Sequence, residues 1–73
     1  MAKLTENQKN YIEMVAIYYA MACKELEANG VTAEYDSHVW MYVRHREKLG
    51  LDVAPHERVA ADRHWEKTQK AAA

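Results

Sequence analysis

The sequence predicts a small all-α protein of three helices. Apolar residues recur at helical spacing in three stretches, which Gly30, Gly50 and Pro55 separate. The only clusters of β-branched and aromatic residues lie inside these stretches, whose apolar residues follow a period of 3.6, unlike the alternation of a strand. We therefore expect one domain over residues 1–73, with two long antiparallel helices followed by a C-terminal helix.

The first predicted helix covers residues 6–28. Thr5 and Gln8 have the spacing of a capping box, in which each side chain bonds the backbone N–H of the other residue. Asn29 and Gly30 supply the left-handed residue that commonly ends a helix. Placing residues at 100° intervals defines one main apolar stripe as the expected core face. The stripe contains Tyr11, Val15, Tyr18, Ala22 and Leu26, broadened by Ile12, Tyr19 and Cys23.

The second predicted helix covers residues 33–49. Thr32 is its expected N-cap, and Glu34 and Asp36 lie in the first turn, where the helix dipole favours negative charge. Gly50 follows its last turn. One face of this helix should pack on the first helix. That face contains Tyr35, Val39, Tyr42, Val43 and Leu49.

The third predicted helix covers residues 55–70 and begins at Pro55, a residue favoured at the first helical position. Its apolar residues are scattered around the helix instead of forming one stripe. They are Val59, Ala60, Ala61 and Trp65. A helix of this composition is poorly suited to covering a second apolar surface elsewhere in the molecule.

The first helix carries such a second stripe, formed by Met14, Ile17 and Met21. A single small domain has little use for two apolar faces on one helix, and a chain of this length buries too little surface to be more than marginally stable alone. We therefore expect a homodimer with these three residues in its seam, and the alternative is a compact monomeric three-helix bundle.

Composition excludes several classes of protein. The net charge of −1 gives the whole molecule no attraction to nucleic acid or to an anionic membrane. The apolar stretch over residues 14–22 is about half the ~20 residues that a membrane span needs. Cys23 is the single cysteine, so no internal disulfide can form, as is typical of a reducing compartment. We expect a cytoplasmic protein that does not bind membranes.

The four histidines do not have metal-ligand spacing. His38 and His45 are seven residues apart, about 10.5 Å along a helix, which is too far for one zinc ion to bridge. His56 and His64 are eight apart, and Cys23 lacks a CxxC companion. The sequence also lacks a nucleophile elbow and a glycine-rich phosphate loop. We expect no metal, no cofactor, no catalytic residue and no enzymatic activity.

The second helix offers a candidate partner surface opposite its core face. Trp40, Met41 and Arg44 lie there, beside Ser37 and Lys48. Tryptophan, methionine and arginine are enriched in protein–protein interfaces, and tryptophan and arginine among binding hot spots. We expect a protein–protein interaction module that inhibits or bridges a partner protein, a role common among small proteins of phages and other mobile elements. Trp40→Ala or Arg44→Glu should abolish binding with little change in melting temperature. The alternative is that Trp40 packs under the third helix or across the dimer, in which case Trp40→Ala would lower the melting temperature.

Nucleic-acid binding is the alternative function. A basic cluster extends from Arg44 to Lys48 near the end of the second helix, where cations are also favoured by the helix dipole. Phosphate contacts would come from arginine side chains on the second and third helices. These are Arg44, Arg46, Arg58 and Arg63.

The N-terminal residues show one limited resemblance to a known family. The residues that carry it are Leu4-Thr5, Gln8 and Tyr11-Ile12-Glu13. This opening resembles that of many phage small terminase subunits, whose first helix leads into a DNA-binding helix-turn-helix. The alanine-rich turn that follows in those proteins is absent here, because the predicted helix continues through residues 17–19. No function is transferred from this resemblance.

Overall fold

The computed structural model describes the backbone of residues 4–72 and the side chains of residues 4–70. Within that range the fold is all-helical and contains three helices, which confirms the predicted class. The helices are α1 (Glu6–Asn29), α2 (Ala33–Leu49) and α3 (Pro55–Ala72). α1 ends at Asn29 instead of residue 28, and α3 reaches Ala72 instead of residue 70.

The capping box predicted for α1 is confirmed. The Gln8 backbone N–H donates to Thr5 Oγ1 at 3.1 Å, and the Thr5 N–H donates to Gln8 Oε1 at 2.8 Å. Gly30 ends the helix with φ 80° and ψ −155°, and its N–H donates to the Leu26 carbonyl. The positive φ was expected, but this ψ is not that of the expected left-handed helical conformation, and the combination is essentially restricted to glycine.

Two turns define the bounds of α2. Thr32 caps its start by accepting from the Tyr35 N–H, and the Thr32 hydroxyl donates to the Glu25 carboxylate at the end of α1. The hydrogen bonds from Thr32 and Asn29 lower the pKa of the Glu25 carboxyl. At the other end Gly50 adopts the left-handed conformation, with φ 75° and ψ 22°. The tight α1–α2 connection is thus fixed by side-chain hydrogen bonds as well as by Gly30.

The three helices form a flat layer with α2 in the middle. α1 and α3 each pack against α2, whereas no Cα atom of α1 lies within 8 Å of a Cα atom of α3 in the described range. The principal extents of the molecule are 41 × 31 × 20 Å. Because the outer helices do not meet, both broad sides of the layer remain open.

Aromatic pairs join α1 to α2. The rings of Tyr11 and His45 lie with centroids 5.4 Å apart, and those of Tyr18 and His38 with centroids 6.2 Å apart. Nδ1 of His45 also lies 2.6 Å from the Met41 carbonyl oxygen, one turn earlier in α2. The beginning of α1 is therefore beside the end of α2.

The core is centred on α2. Val39 and Val43 have the most completely buried large side chains, and Leu49, on the same predicted face, is half-buried. The remaining buried apolar residues come from all three helices. They are Ala22, Tyr35, Tyr42, Ala60 and Ala61. The predicted core face of α2 therefore packs on both outer helices, not on α1 alone.

The expected core face of α1 is wrong at its broadened edge and at one member of the main stripe, Leu26. Ile12, Cys23 and Leu26 are exposed, and Tyr19 is also exposed although its ring packs edge-on against Tyr42 at 5.5 Å. The other members of the main stripe are half-buried or buried against α2. The physical reason is that α3 lies beyond reach of α1, so that no helix of this chain covers the broad edge.

Candidate functional site

The layer has two broad faces that present different chemistry. Arg44 and Arg46 are two residues apart in α2, so their side chains leave the helix about 200° apart. The Arg44 guanidinium lies 4.7 Å from the ring centroid of Trp40, whereas that of Arg46 lies over Tyr42 and Tyr19. We call the two sides the Trp40 face and the Arg46 face.

Trp40 is half-buried at the centre of the Trp40 face. Its ring packs against the hydrophobic core and lies 5.1 Å from the ring of His64 in α3. Arg44 is exposed and stacks over the indole, a cation–π arrangement that fixes the position of its charge. Trp40 thus has two roles here, because it anchors α3 and also supports the arginine.

The other predicted partner-binding residues surround this pair. Ser37 and Met41 are half-buried, and Lys48 is exposed with its Nζ 5.2 Å from the ring centroid of Tyr11. Helical spacing places all of them on the same side of α2 as Arg44. The two cations at one end of this face would favour a partner with carboxylates there.

Trp65 of α3 is also part of this face, although the sequence did not predict it there. Trp65 is 51% exposed and lies seven residues after Arg58, so both share one side of α3. Arg58 pairs with Glu47 at 3.4 Å, and Glu47 follows Trp40 by seven residues in α2. This ion pair therefore locates Trp65 on the same broad face as Trp40. The sequence does indicate, from their spacing, that Arg58 and Trp65 share one side of α3. It does not indicate which broad face of the layer that side belongs to.

The three residues predicted as a dimer seam also adjoin the Trp40 face. Met14, Ile17 and Met21 are 37%, 53% and 40% exposed, so no helix of this chain covers them fully. Met21 follows Tyr19 by two residues, and Tyr19 contacts Arg46. The Met21 side chain therefore projects from α1 on the side opposite Tyr19, toward the Trp40 face. The stripe extends the apolar part of that face onto α1.

A buried carboxylate organises the Arg46 face. Glu57 Oε2 accepts from the Tyr42 hydroxyl at 2.5 Å, Arg46 donates to both carboxylate oxygens, and the Ala54 N–H donates at 2.9 Å. Burial alone would raise the pKa of Glu57, but these hydrogen bonds and the Arg46 charge lower it below its ordinary value. Burial and the bond to Glu57 raise the pKa of Tyr42. This network caps α3 and joins it to α2.

A second buried carboxylate joins the same two helices. Asp36, expected only to complement the dipole of α2, is buried and paired with Arg63 through two hydrogen bonds of 2.7 Å each. The hydrogen bond to Asp36 is the main cause that raises the pKa of Arg63. The interface between α2 and α3 therefore combines small alanine side chains with three arginine–carboxylate pairs, two of which use a buried carboxylate.

The arginines named for nucleic-acid binding do not form one basic surface. Arg46, Arg58 and Arg63 each pair with a carboxylate. Arg44 has no ion-pair partner in the described part of the chain, and it lies on the face opposite Arg46. The positive charge of these four arginines is therefore divided between the two faces, and carboxylates largely neutralise it at three of the four positions.

Residues 4–72 contain no group of three histidine, cysteine or acidic residues placed to hold a metal ion. No pocket is present in the same range. None of the three described helices is long and apolar enough to cross a membrane. Of the histidines, His38, His45 and His64 pack against aromatic rings, and His56 is exposed.

No protein-family model, curated protein or solved structure matches this chain. Its function is therefore inferred from its own residues and their arrangement.

Proposed function

We propose that this chain is a non-enzymatic protein–protein interaction module whose Trp40 face binds a partner protein and thereby inhibits or bridges it. The observation that carries the proposal is the Trp40–Arg44 stack, which holds an exposed cation over a half-buried indole between two helices. Tryptophan and arginine are the residues that most often dominate binding energy at interfaces.

The surroundings of the stack support a protein as the partner. Three methionines border the face, and methionine side chains adapt to apolar surfaces of varied shape. Trp65 adds a second exposed indole. Monomeric proteins rarely leave large contiguous apolar patches uncovered, and such patches rimmed by polar residues are typical of interaction sites. The face would fit an apolar partner surface with carboxylates opposite Arg44 and Lys48.

The course of the helices makes this face continuous. Tyr11 and His45 pair at one end of the α1–α2 interface and Tyr18 and His38 further along, which supports the antiparallel course expected for these two helices. An antiparallel pair keeps the methionine stripe of α1 beside α2 over several turns. The partner would therefore contact both helices at once, with Trp65 of α3 at the margin.

The proposal is tested by affinity capture from nuclease-treated lysate of the source cells, followed by direct titration of the captured protein. Arg44→Glu should abolish both capture and direct binding, because it reverses the charge on the indole. Lys67→Glu is the matched control, since Lys67 is exposed on α3 about 200° around the helix from Trp65. This control should bind as the wild-type chain does.

Two outcomes would contradict the proposal. Binding that survives Arg44→Glu would remove the Trp40 face from the interface. Capture that disappears with nuclease, together with affinity that falls steeply between about 50 and 200 mM salt, would instead favour nucleic acid.

A further inference from the structure

Besides the stripe of Met14, Ile17 and Met21, α1 carries another exposed apolar stripe, which lies on the side of the Arg46 face. Its members follow one another at intervals of four, three, four and three residues. They are Ile12, Ala16, Tyr19, Cys23 and Leu26, and all are exposed. These intervals are those of the seam positions in a coiled coil, where each side chain inserts between four residues of a second helix. The stripe is about 21 Å long.

Nothing within the described residues covers this stripe. Ile12, Tyr19 and Leu26 are 44%, 46% and 45% exposed, because α3 does not reach α1. Tyr19 alone has a fixed position, with its ring against Tyr42 and the Arg46 guanidinium 5.5 Å from its centroid. The stripe therefore has an ordered centre and two apolar ends that are free to contact another helix.

The arrangement of large and small residues fits a second copy of the same helix. Ile12 lies seven residues before Tyr19, and Leu26 lies seven after it. A two-fold axis at Tyr19 would place Ile12 of each copy opposite Leu26 of the other. The two Tyr19 side chains would then meet at the centre. Ala16 and Cys23 lie between the large residues and allow the helices to approach closely.

The charges beside the stripe favour an antiparallel pair. Lys9, Glu13, Lys24 and Glu27 lie along one edge of the stripe, are exposed, and form no ion pair within the described residues. In the antiparallel arrangement Lys9 comes level with Glu27 of the second copy and Glu13 with Lys24, each within about 3 Å along the axis. The two-fold axis repeats each of these two pairs, so the dimer would contain four oppositely charged pairs. In a parallel two-fold pair this charged edge would lie on opposite sides of the interface in the two copies, so these four residues would form no pairs across it.

We propose that two copies of this chain associate through α1, antiparallel, about a two-fold axis at Tyr19. The interface uses a different stripe from Met14, Ile17 and Met21, whose apolar run is shorter and adjoins the Trp40 face. Self-association and partner binding would then occupy opposite faces and proceed together. The proposal does not depend on the proposed partner function.

Sedimentation equilibrium of the full chain tests the interface. The wild-type chain should be a dimer, and Leu26→Glu should raise its dissociation constant by about 100-fold, because it buries an unpaired charge opposite Ile12. Ile17→Glu is the matched control on the other stripe of the same helix and should remain dimeric. Circular dichroism must show unchanged helix content in both variants. A monomeric wild-type chain, or dissociation by Ile17→Glu alone, would overturn the proposal.

A charge exchange tests the orientation. Glu13→Lys and Lys24→Glu should each weaken the dimer, since each places like charges together at two symmetry-related positions. The double variant should restore the wild-type dissociation constant, because both pairs are re-formed with opposite polarity. Both residues are exposed, so folding is not at risk. Failure of the double variant to recover affinity would overturn the antiparallel register.

Cross-linking gives an independent measure of the axis. The two Cys23 residues of the proposed dimer lie about 12 Å apart along the helices, beyond the reach of a disulfide. Mild oxidation should therefore leave the wild-type dimer unlinked, whereas Tyr19→Cys combined with Cys23→Ala should cross-link at the axis. A disulfide between wild-type chains through Cys23 would indicate parallel pairing and overturn the proposal.

Discussion

Arg63 holds the buried carboxylate of Asp36 through two hydrogen bonds of 2.7 Å, across the interface between α2 and α3. The two side chains differ greatly in exposure, since that of Asp36 is 3% exposed and that of Arg63 41%. Loss of either partner therefore has different consequences for the one that remains.

We predict that Arg63→Gln destabilises the protein more than Asp36→Asn does. Without Arg63 the carboxylate stays buried and uncompensated, at a cost of about 2–3 kcal/mol after allowance for the exposure of the arginine. In Asp36→Asn, Arg63 can turn to water and the buried group is a neutral amide, which costs less to leave unpaired than a carboxylate, about 1–2 kcal/mol. Urea unfolding of both variants measures the difference. Equal costs would mean that Asp36 gains access to water when Arg63 is removed.

A second prediction concerns acid stability and Glu57. The pKa of its carboxyl is lower in the folded protein than its ordinary value of 4.5. In the window just below pH 4.5 the unfolded chain binds more protons than the folded one, so the stabilisation is present above this window and is lost as pH falls through it. Glu57→Gln should therefore lower stability at neutral pH and weaken the dependence on pH.

Urea unfolding at about pH 7 and about pH 3.5 measures this effect. Glu34→Gln provides the control, since Glu34 is an exposed acid in the first turn of α2. The control should show nearly the pH dependence of the wild-type chain. An unaltered acid transition in Glu57→Gln would mean that other carboxylates govern acid unfolding.

The two glycines give a third prediction. A Cβ at either position would meet no atom within 4 Å, so only backbone strain distinguishes them. Gly50 is in the left-handed region, where Ala costs about 1 kcal/mol, whereas Gly30 has angles that side-chain-bearing residues avoid. Gly30→Ala should therefore cost more, about 2–3 kcal/mol. Thermal melting of the two variants side by side gives the comparison, and a reversed order would contradict it.

The fourth prediction concerns Trp40, for which the sequence left open both a partner-binding role and packing under the third helix. Because its ring packs against the core and His64, Trp40→Ala should destabilise the protein by about 2 kcal/mol, less than a fully buried tryptophan would cost. This corresponds to a fall in melting temperature of about 8–16 °C. Arg44→Glu should leave the melting temperature nearly unchanged. An unchanged melting temperature in Trp40→Ala would show that the indole does not anchor α3.

The features that the sequence predicted correctly depend on local chemistry. The capping box of Thr5 and Gln8, the cap at Thr32 and the end of α2 before Gly50 involve residues at most a few positions apart. The buried face of α2 was also predictable, because its apolar residues repeat at helical spacing. Such features require no knowledge of how the helices pack.

The remaining features depend on which helix covers which face. The period of α1 marks Ile12 and Leu26 as apolar, but only the position of α3 decides that they stay exposed. Likewise the pairing of Asp36 with Arg63 joins residues 27 positions apart. Spacing along one helix contains no information on such a partner, so the candidate site was predicted at Trp40 and Arg44 but missed at Trp65.

The central position of α2 divides the sequence into parts under unequal constraint. Each outer helix packs on α2 alone, so both helix interfaces depend on side chains of α2, whereas the outward sides of α1 and α3 contribute to neither. The outward sides of α1 and α3 are thus free to diverge and acquire new specificities. Selection libraries that vary those sides and hold α2 fixed should retain the fold, which would make this chain a scaffold with two independently adjustable surfaces.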